Sequence, residues 1–392
     1  MTPYPIYKLG EICETTSGGT PNRKNDAYYG GSIPWVKSGE LGKGVIYDTE
    51  EKITEQAVKE SSAKVFPKGT LLIALYGATI GKLGFLGVPA ATNQAVCGIF
   101  ANEKIDLQFL SYYLFHKRND LIAQGTGGAQ PNISQTILKN LPVPLPPLPT
   151  QRLIVSRIES LFAELDKAVQ HLRTAQQQIK TYRQAVLNHW LNNDEGKWEM
   201  VKLGEVAEMC LGKMLDKNKN KGTFQPYLRN VNVRWGQFDL DDLLEMKFEE
   251  SEQDRYGIQN GDLIMCEGGE PGRCAIWNSD IQNMKIQKAL HRIRLNNNVL
   301  NKYVYFLFVL YAQNGVLENY FTGTTIKHLT GQSLKSVEIP LPQLSEQQRI
   351  VAEIESRLSQ AEVVEASIEK ALQQSEALRQ SILKKAFEGE LV

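Results

Sequence analysis

The chain has 392 residues, enough for two or three domains with cores of their own. It is 42% hydrophobic and 22% charged, a composition typical of a soluble globular protein. Its 44 basic residues balance 44 acidic ones, which excludes a uniformly basic nucleic-acid binder and confines any DNA surface to a local patch. No charged segment followed by an apolar one opens the sequence, so a cytoplasmic protein is expected. Five cysteines without a CxxC (Cys13, Cys97, Cys210, Cys266, Cys274) point to free structural thiols.

Residues 1–141 read as a globular segment. "KLGE" at 8–11 is followed by short strand-like runs, "SIPWVKSG" and "GTLLIALYG", cut by glycine-rich turns. The helical stretch "LQFLSYYLFHKRNDLIAQG" and the polar loop "TGGAQPNIS" close the segment. Residues 142–194 begin with Pro142, Pro144, Pro146, Pro147 and Pro149, which forbid a helix upstream and predict its start near Thr150. From there Ile154, Ile158, Leu161, Leu165, Ala168, Leu172, Ala175, Ile179, Tyr182 and Val186 form a heptad seam.

Residues 195–338 repeat the plan. "KLGE" recurs at 202–205, followed by the runs "GDLIMCEGG" and "HRIRL". The apolar run "YVYFLFVLYA" at 303–312 is too short to span a bilayer and reads as a buried helix. In 339–392, Pro340 and Pro342 precede a second long helix, predicted to start at Ser345 with Gln348 completing a capping box. Its seam is Ile350, Ile354, Ala361, Ile368, Ala371, Leu378 and Ile382.

The repetition is systematic. Ile154, Ile158 and Glu159 match Ile350, Ile354 and Glu355, and Leu138-Lys139 match Leu334-Lys335, all at an offset of 196. The two "KLGE" motifs stand 194 apart, and Gly69, Leu71 and Ile73 fall opposite Gly261, Leu263 and Met265. One duplication of a domain plus a long helix explains this order. The expected fold class is α+β: two mixed α/β domains joined by two long antiparallel helices in a coiled coil, with an internal pseudo-twofold repeat. Packing of each helix on its own domain is the plainer alternative to pairing.

Charge is unevenly placed. Between Gly212 and Trp235, Lys213, Lys217, Lys219, Lys221, Arg229 and Arg234 face the single acid Asp216, with Tyr227, Asn230, Asn232 and Trp235 interleaved. Cations for phosphates and Arg or Asn for purine edges is the mixture that DNA reading requires. A solvated lysine-rich loop is the competing reading. Residues 239–254 then carry eight acids and one lysine, read as a face turned away from DNA or toward a protein partner.

Catalytic chemistry is not visible. "GATIGKLG" at 77–84 has the wrong glycine spacing for a phosphate loop and Leu83 where a hydroxyl is needed. The five histidines show no metal-ligand spacing, and no nucleophile, acid–base or cofactor motif stands out. The sequence predicts a non-enzyme with no cofactor or metal of its own.

"VPLPPLPTQR", "IPLPQLSEQQRIVAEIE" and the paired "KLGE" motifs resemble the specificity subunit of type I restriction-modification systems. "SGGTP", "IPWV", "GATIGK" and "TNQAV" resemble motifs of its first domain, and "YLRNVNV", "CEGGEPGRCAIW" and "QKALHRIRL" those of a second target-domain type. The resemblance implies a non-catalytic subunit whose two target-recognition domains bind a bipartite asymmetric double-stranded DNA site. It also implies two methyltransferase subunits, which carry S-adenosylmethionine, two restriction subunits, and no membrane. Polar and cationic residues in equivalent glycine-rich loops then become candidate DNA contacts: Lys37, Tyr76, Thr79, Lys82, Asn93 and Gln94 in the first domain. In the second they are Lys213, Lys217, Lys219, Arg229, Asn230, Asn232, Arg234, Arg273 and Lys288. Leu153, Val186, Leu187, Trp190, Leu383 and Phe387 are expected as spare apolar surface for the methyltransferases. The alternative is an adaptor that uses its coiled coil for dimerisation and reads no DNA sequence.

Overall fold

A computed structural model describes residues 2–125, 132–192, 196–216 and 218–392. They form two compact units, Met1–Leu172 with Lys370–Val392, and Arg173–Glu369.

Each unit opens with the same device. In the first, strand Ile6–Lys8 pairs antiparallel with Pro142–Pro144; in the second, Met200–Lys202 pairs with Glu338–Pro340. A two-stranded edge tolerates proline because the missing N–H is not needed by a third strand. The "KLGE" motif then turns into a single helical turn whose leucine, Leu9 or Leu203, is fully buried. The Leu9 N–H donates to the Leu141 carbonyl at 2.9 Å and the Leu203 N–H to Val337 at 2.8 Å. A Cβ on Gly10 would stand 3.1 Å from the Lys139 Cβ, and one on Gly204 3.0 Å from that of Lys335. That close approach explains why the glycine and a Leu-Lys pair recur together.

In the first unit a five-stranded sheet runs in the order Glu14–Ser17, Val96–Phe100, Leu71–Ala74, Leu83–Leu86, Gly44–Ile46. A second sheet of four strands holds Tyr29–Val36 between Lys52–Ile53 and Ala90–Thr92. In the second unit the main sheet is Ala207–Leu211, Leu290–Leu295, Leu263–Cys266, Cys274–Ile276, beside a three-stranded sheet centred on Thr223–Leu228. The expected runs at 69–77, 261–269 and 291–295 are therefore the central strands. The apolar run at 303–312 lies in helix Asn301–Gln313, which buries Tyr303, Val304, Phe306, Leu307, Phe308 and Leu310. Its counterpart breaks at Lys117 into Leu107–His116 and Arg118–Ala123.

The long helices are Leu148–Leu191 and Leu344–Glu388. Both begin slightly earlier than their prolines predict. Pro149 sits in the first turn, where its missing N–H has no intrahelical partner to lose. Ser345 is likewise inside the helix rather than capping it, and the Gln343 carbonyl takes the Glu346 and Gln347 N–H groups. Gln151 and Gln347, one turn into each helix, are wholly buried.

Both of the expected helix roles are present. Ile154, Ile158 and Phe162 join the core of the first unit, with Ile382, Leu383, Ala386 and Phe387 from the end of the second long helix. Within the second unit, Trp190 lies under Arg349 and Arg357 while Arg183 pairs with Glu365 at 2.8 Å, so the two helices run antiparallel there. Within the first, Arg379 pairs with Asp166 and stacks on Phe162 at 4.5 Å. The strict heptad seam does not hold throughout: Ala168, Tyr182 and Leu378 are exposed. A straight helix drifts about 20° per heptad from a 3.5-residue repeat, which turns such positions outward. Val186, Leu187, Leu383 and Phe387 are buried within their own units, which corrects the expectation that they are spare surface. Leu153 remains exposed, as do Val363 and Val364.

Candidate nucleic-acid interface

The same four segments converge in each unit through the same backbone bonds. In the first, the Asn93 N–H donates to Val36 (3.0 Å), Leu75 to Ala95 (2.8 Å) and Ile133 to Leu75 (2.9 Å). In the second, Gln287 donates to Leu228 (3.1 Å), Glu267 to Ala289 (2.8 Å) and Leu329 to Glu267 (2.8 Å). Three loops of a common rim are thereby set side by side: 37–40, 76–82 and 93–95 in the first unit, 229–232, 267–273 and 287–289 in the second. Asn132 pairs with Tyr76 at the first rim, and the segment 322–329 completes the second. Most of the first polar loop expected here, residues 126–131, lies outside the described residues.

The rim gathers most of the candidate DNA contacts, but their side chains have different fates. Tyr76, Gln94 and Lys288 point to solvent, and Thr79 and Lys82 are half-buried in the 76–82 loop. The Asn93 carboxamide oxygen accepts from the Ala95 N–H, fixing its own turn. Gln94 Oε1 accepts from the Thr20 hydroxyl. Arg234 is half-exposed on the hairpin Val233–Arg234/Gln237–Phe238, 3.7 Å from Asp239. Lys219 is exposed in a turn, 3.8 Å from Asp216; Lys217 lies outside the described residues.

Four candidates are corrected. Lys213 is buried: its ammonium donates to the Lys247 carbonyl at 3.0 Å, pairs with Glu252 and lies over the Phe248 ring. Its long apolar stem and a single carboxylate allow this inward turn. Asn232 is buried and spends its carboxamide on the carbonyls of Asp239 and Asp242 and on the Arg229 N–H. Arg273, 14% exposed along its side chain, holds the Asn230 carboxamide oxygen at 2.7 Å and Glu270 at 2.8 Å. The Asn230 amide group in turn donates to the Gly268 carbonyl. Asn232, Arg273 and Asn230 therefore shape the rim rather than face a ligand.

Lys37 and Arg229 stand at the rim edge, each held by carboxylates. Lys37 Nζ donates to Glu50 and Glu51 at 3.0 Å each, and Arg229 Nη2 to Asp242 at 2.7 Å. The bonds to Glu50 and Glu51 raise the Lys37 pKa, while Arg23 and Lys37 lower that of Glu51. Arg23 itself stacks over Tyr29 and Trp35 at 4.7 and 4.8 Å. Asp239 and Asp242 thus belong to the rim, so these two of the eight acids of the run are not turned away from it. Sequence patterning missed these partners because acid and cation are separated by a loop, not by a helical or strand period. Beneath the second rim, buried His291 donates Nε2–H to the Leu329 carbonyl at 2.9 Å, and burial lowers its pKa.

Comparison with known proteins agrees with this geometry. The family model described as "Type I restriction modification DNA specificity domain" matches residues 1–172 and again 195–374. The chain is 26% identical over 382 residues to the EcoKI specificity subunit of Escherichia coli, covering 92% of this chain and 82% of that one. It is 24% identical to the MjaIX specificity subunit of Methanocaldococcus jannaschii, covering 86% and 83%. In fold it is similar to a chain from a study of complex assembly in the type I R-M system, with a TM-score of 0.77 over 100% and 99% of the chains at 20% identity. It is also similar to the HsdS subunit of Thermoanaerobacter tengcongensis, with a TM-score of 0.66 over 99% and 97% at 20% identity. With a matched domain in each half and the same rim in each unit, the chain belongs to the type I restriction-modification DNA specificity family, and its role is to supply sequence specificity on DNA.

Proposed function

We propose that each unit reads one half of a bipartite, asymmetric DNA target and that the chain catalyses nothing itself. The observation that carries this is the repeated rim with unlike side chains on equivalent positions. Lys37 stands where Arg229 does, Asn93 where Gln287 does, and Gln94 where Lys288 does. Lysine, arginine, asparagine and glutamine offer different donors to base edges, so identical frames would select different half-sites. In this reading the chain positions two methyltransferase subunits, which hold S-adenosylmethionine, and two restriction subunits. The exposed apolar residues Leu153, Val363 and Val364 are surface such partners could cover. Among the described residues no helix is long and apolar enough to cross a membrane, and the proposed workplace is the cytoplasm, with the chromosome.

The test is methylome sequencing of a host carrying the chain with its methyltransferase subunits, alongside duplex selection by the purified complex. Two unlike short motifs separated by unread bases are expected. One uninterrupted motif, or none, would overturn the reading.

A further inference from the structure

Lys37 and Arg229 share more than a position. Each follows the strand residue, Val36 or Leu228, whose carbonyl anchors the neighbouring rim loop. Each precedes one tight helical turn, Ser38–Glu40 or Asn230–Asn232. The backbone N–H of each is bound by the side chain three residues on, Glu40 Oε2 at 2.7 Å or Asn232 Oδ1 at 2.9 Å. Thirteen residues further along, each copy supplies a carboxylate to the cation: Glu50 to Lys37, and Asp242 to Arg229. Glu51 reinforces the first pair, and the Asp242 carbonyl, 2.8 Å from Nη2, the second. The cation, the acid and the intervening loop all differ between the copies. The pairing does not.

We propose that Asp242 and the Glu50–Glu51 pair are specificity-determining residues that convert Arg229 and Lys37 from phosphate binders into readers of neutral base edges. This rests on the reading of the two rims as DNA readers. A cation already neutralised by a carboxylate gains little from a phosphate, and the carboxylate repels it. The carboxylate side chains of Glu50 and Asp242 are 77% and 74% exposed, so an approaching phosphate meets them directly. A guanine edge carries acceptors without net charge and escapes that repulsion. Donors remain for it. Among the described residues both side-chain bonds of Arg229 leave from Nη2, so its Nη1 keeps its N–H groups, and the bonds to Glu50 and Glu51 leave the Lys37 ammonium one of its three N–H groups. The acids therefore suppress sequence-blind attachment, the term that otherwise dominates binding to DNA.

The experiment uses the full-length chain co-purified with its methyltransferase subunits, as wild type, D242N, D242E and E50Q/E51Q. Binding to a random-sequence duplex and to the selected target is measured across salt concentration, with melting temperatures recorded for each variant. For D242N, random-sequence binding should tighten roughly two- to fivefold, the worth of one exposed ion pair. Its log–log salt slope should steepen by about 0.9, one phosphate contact. The target-to-random ratio should fall, with one position blurred in a single half-site. E50Q/E51Q should do the same in the other half-site, and D242E should restore discrimination. The proposal is overturned if folded D242N and E50Q/E51Q keep the wild-type ratio and slope. It is also overturned if target and random binding weaken in parallel, which marks a purely structural role. Should D242N fail to fold, E50Q/E51Q decides alone. A wild-type complex without sequence preference would instead remove the underlying functional reading, a result visible before any variant is made.

Discussion

Gln151 and Gln347 make the same three hydrogen bonds in the two units. Gln151 Nε2 donates to the Lys104 and Pro146 carbonyls at 2.9 Å, and its Oε1 accepts from the Asp106 N–H at 2.8 Å. Gln347 Nε2 donates to Asn298 and Pro342 at 3.0 and 2.9 Å, and its Oε1 accepts from Leu300 at 2.7 Å. Each side chain thus ties the start of a long helix to the start of its domain helix and to the proline strand.

Replacing either glutamine with alanine strands two carbonyls and one N–H in the interior. Each unsatisfied buried group costs about 1–3 kcal/mol. Q151A or Q347A should therefore lower the stability of its own unit by roughly 2–5 kcal/mol after partial relaxation. Hydrogen exchange, read separately in each unit, checks this; uniform loosening of both units would contradict it.

A second prediction concerns the turns that seat the rims. The Gly18 N–H donates to Val96 and the Gly212 N–H to Leu290, at 3.1 and 3.0 Å. A Cβ on Gly18 would stand 2.1 Å from the Thr92 carbonyl oxygen, and one on Gly212 2.4 Å from that of Gln287. G18A and G212A should each displace the adjacent rim loop and destabilise their unit by about 1–3 kcal/mol. Each should weaken recognition of one half-site only, as target selection with the variant complexes would show.

The exposed cation Lys288 and the paired Arg229 should respond differently to deletion. K288A is expected to weaken all DNA alike and to reduce the salt slope by about 1, as loss of a phosphate contact does. R229A should relax one base position at a cost of roughly 1–3 kcal/mol. Binding titrations at several salt concentrations, paired with selection, separate the two patterns; swapped outcomes would reassign the roles.

The buried His291 gives a pH dependence with a definite sign. Its folded pKa is depressed below 6.5 by burial, so the unfolded chain binds the proton more readily. The stability it contributes is complete above about pH 6.5 and is lost as pH falls toward the folded value. Within that window the slope is at most about 1.4 kcal/mol per pH unit. His116 in the first unit is shifted the same way, by burial first and Lys117 second. Denaturation of H291Q between pH 5 and 7.5 should show a shallower fall for the second unit, with the first unchanged.

The duplication, the central strands and the buried helix at 301–313 were legible because they rest on pattern: offset, alternation and apolar run. The burial of Gln151 and Gln347 was not legible, because the carbonyls and N–H groups that satisfy them come from segments distant in sequence. The rim candidates were legible as loops and not as side chains. Lys213 and Arg273 turned inward because acceptors distant in sequence, Glu252 and the Lys247 carbonyl for the first and Asn230 for the second, met them there. The heptad seam misjudged Tyr182 and Leu378 because a straight helix precesses relative to a fixed seven-residue register.

The division of the second long helix between the units also bears on synthesis. The first unit's core includes Leu383, Ala386 and Phe387, with Phe387 set edge-on against Phe109 and Tyr113. The second unit draws on nothing beyond Glu369. On the ribosome, chains emerge from the N-terminus and domains fold as their residues become available. Here the unit that begins first is sealed last: it waits with an open apolar face until Lys370–Val392 leave the exit tunnel. A chain cut short at Lys370 would therefore spare the later unit and spoil the earlier one.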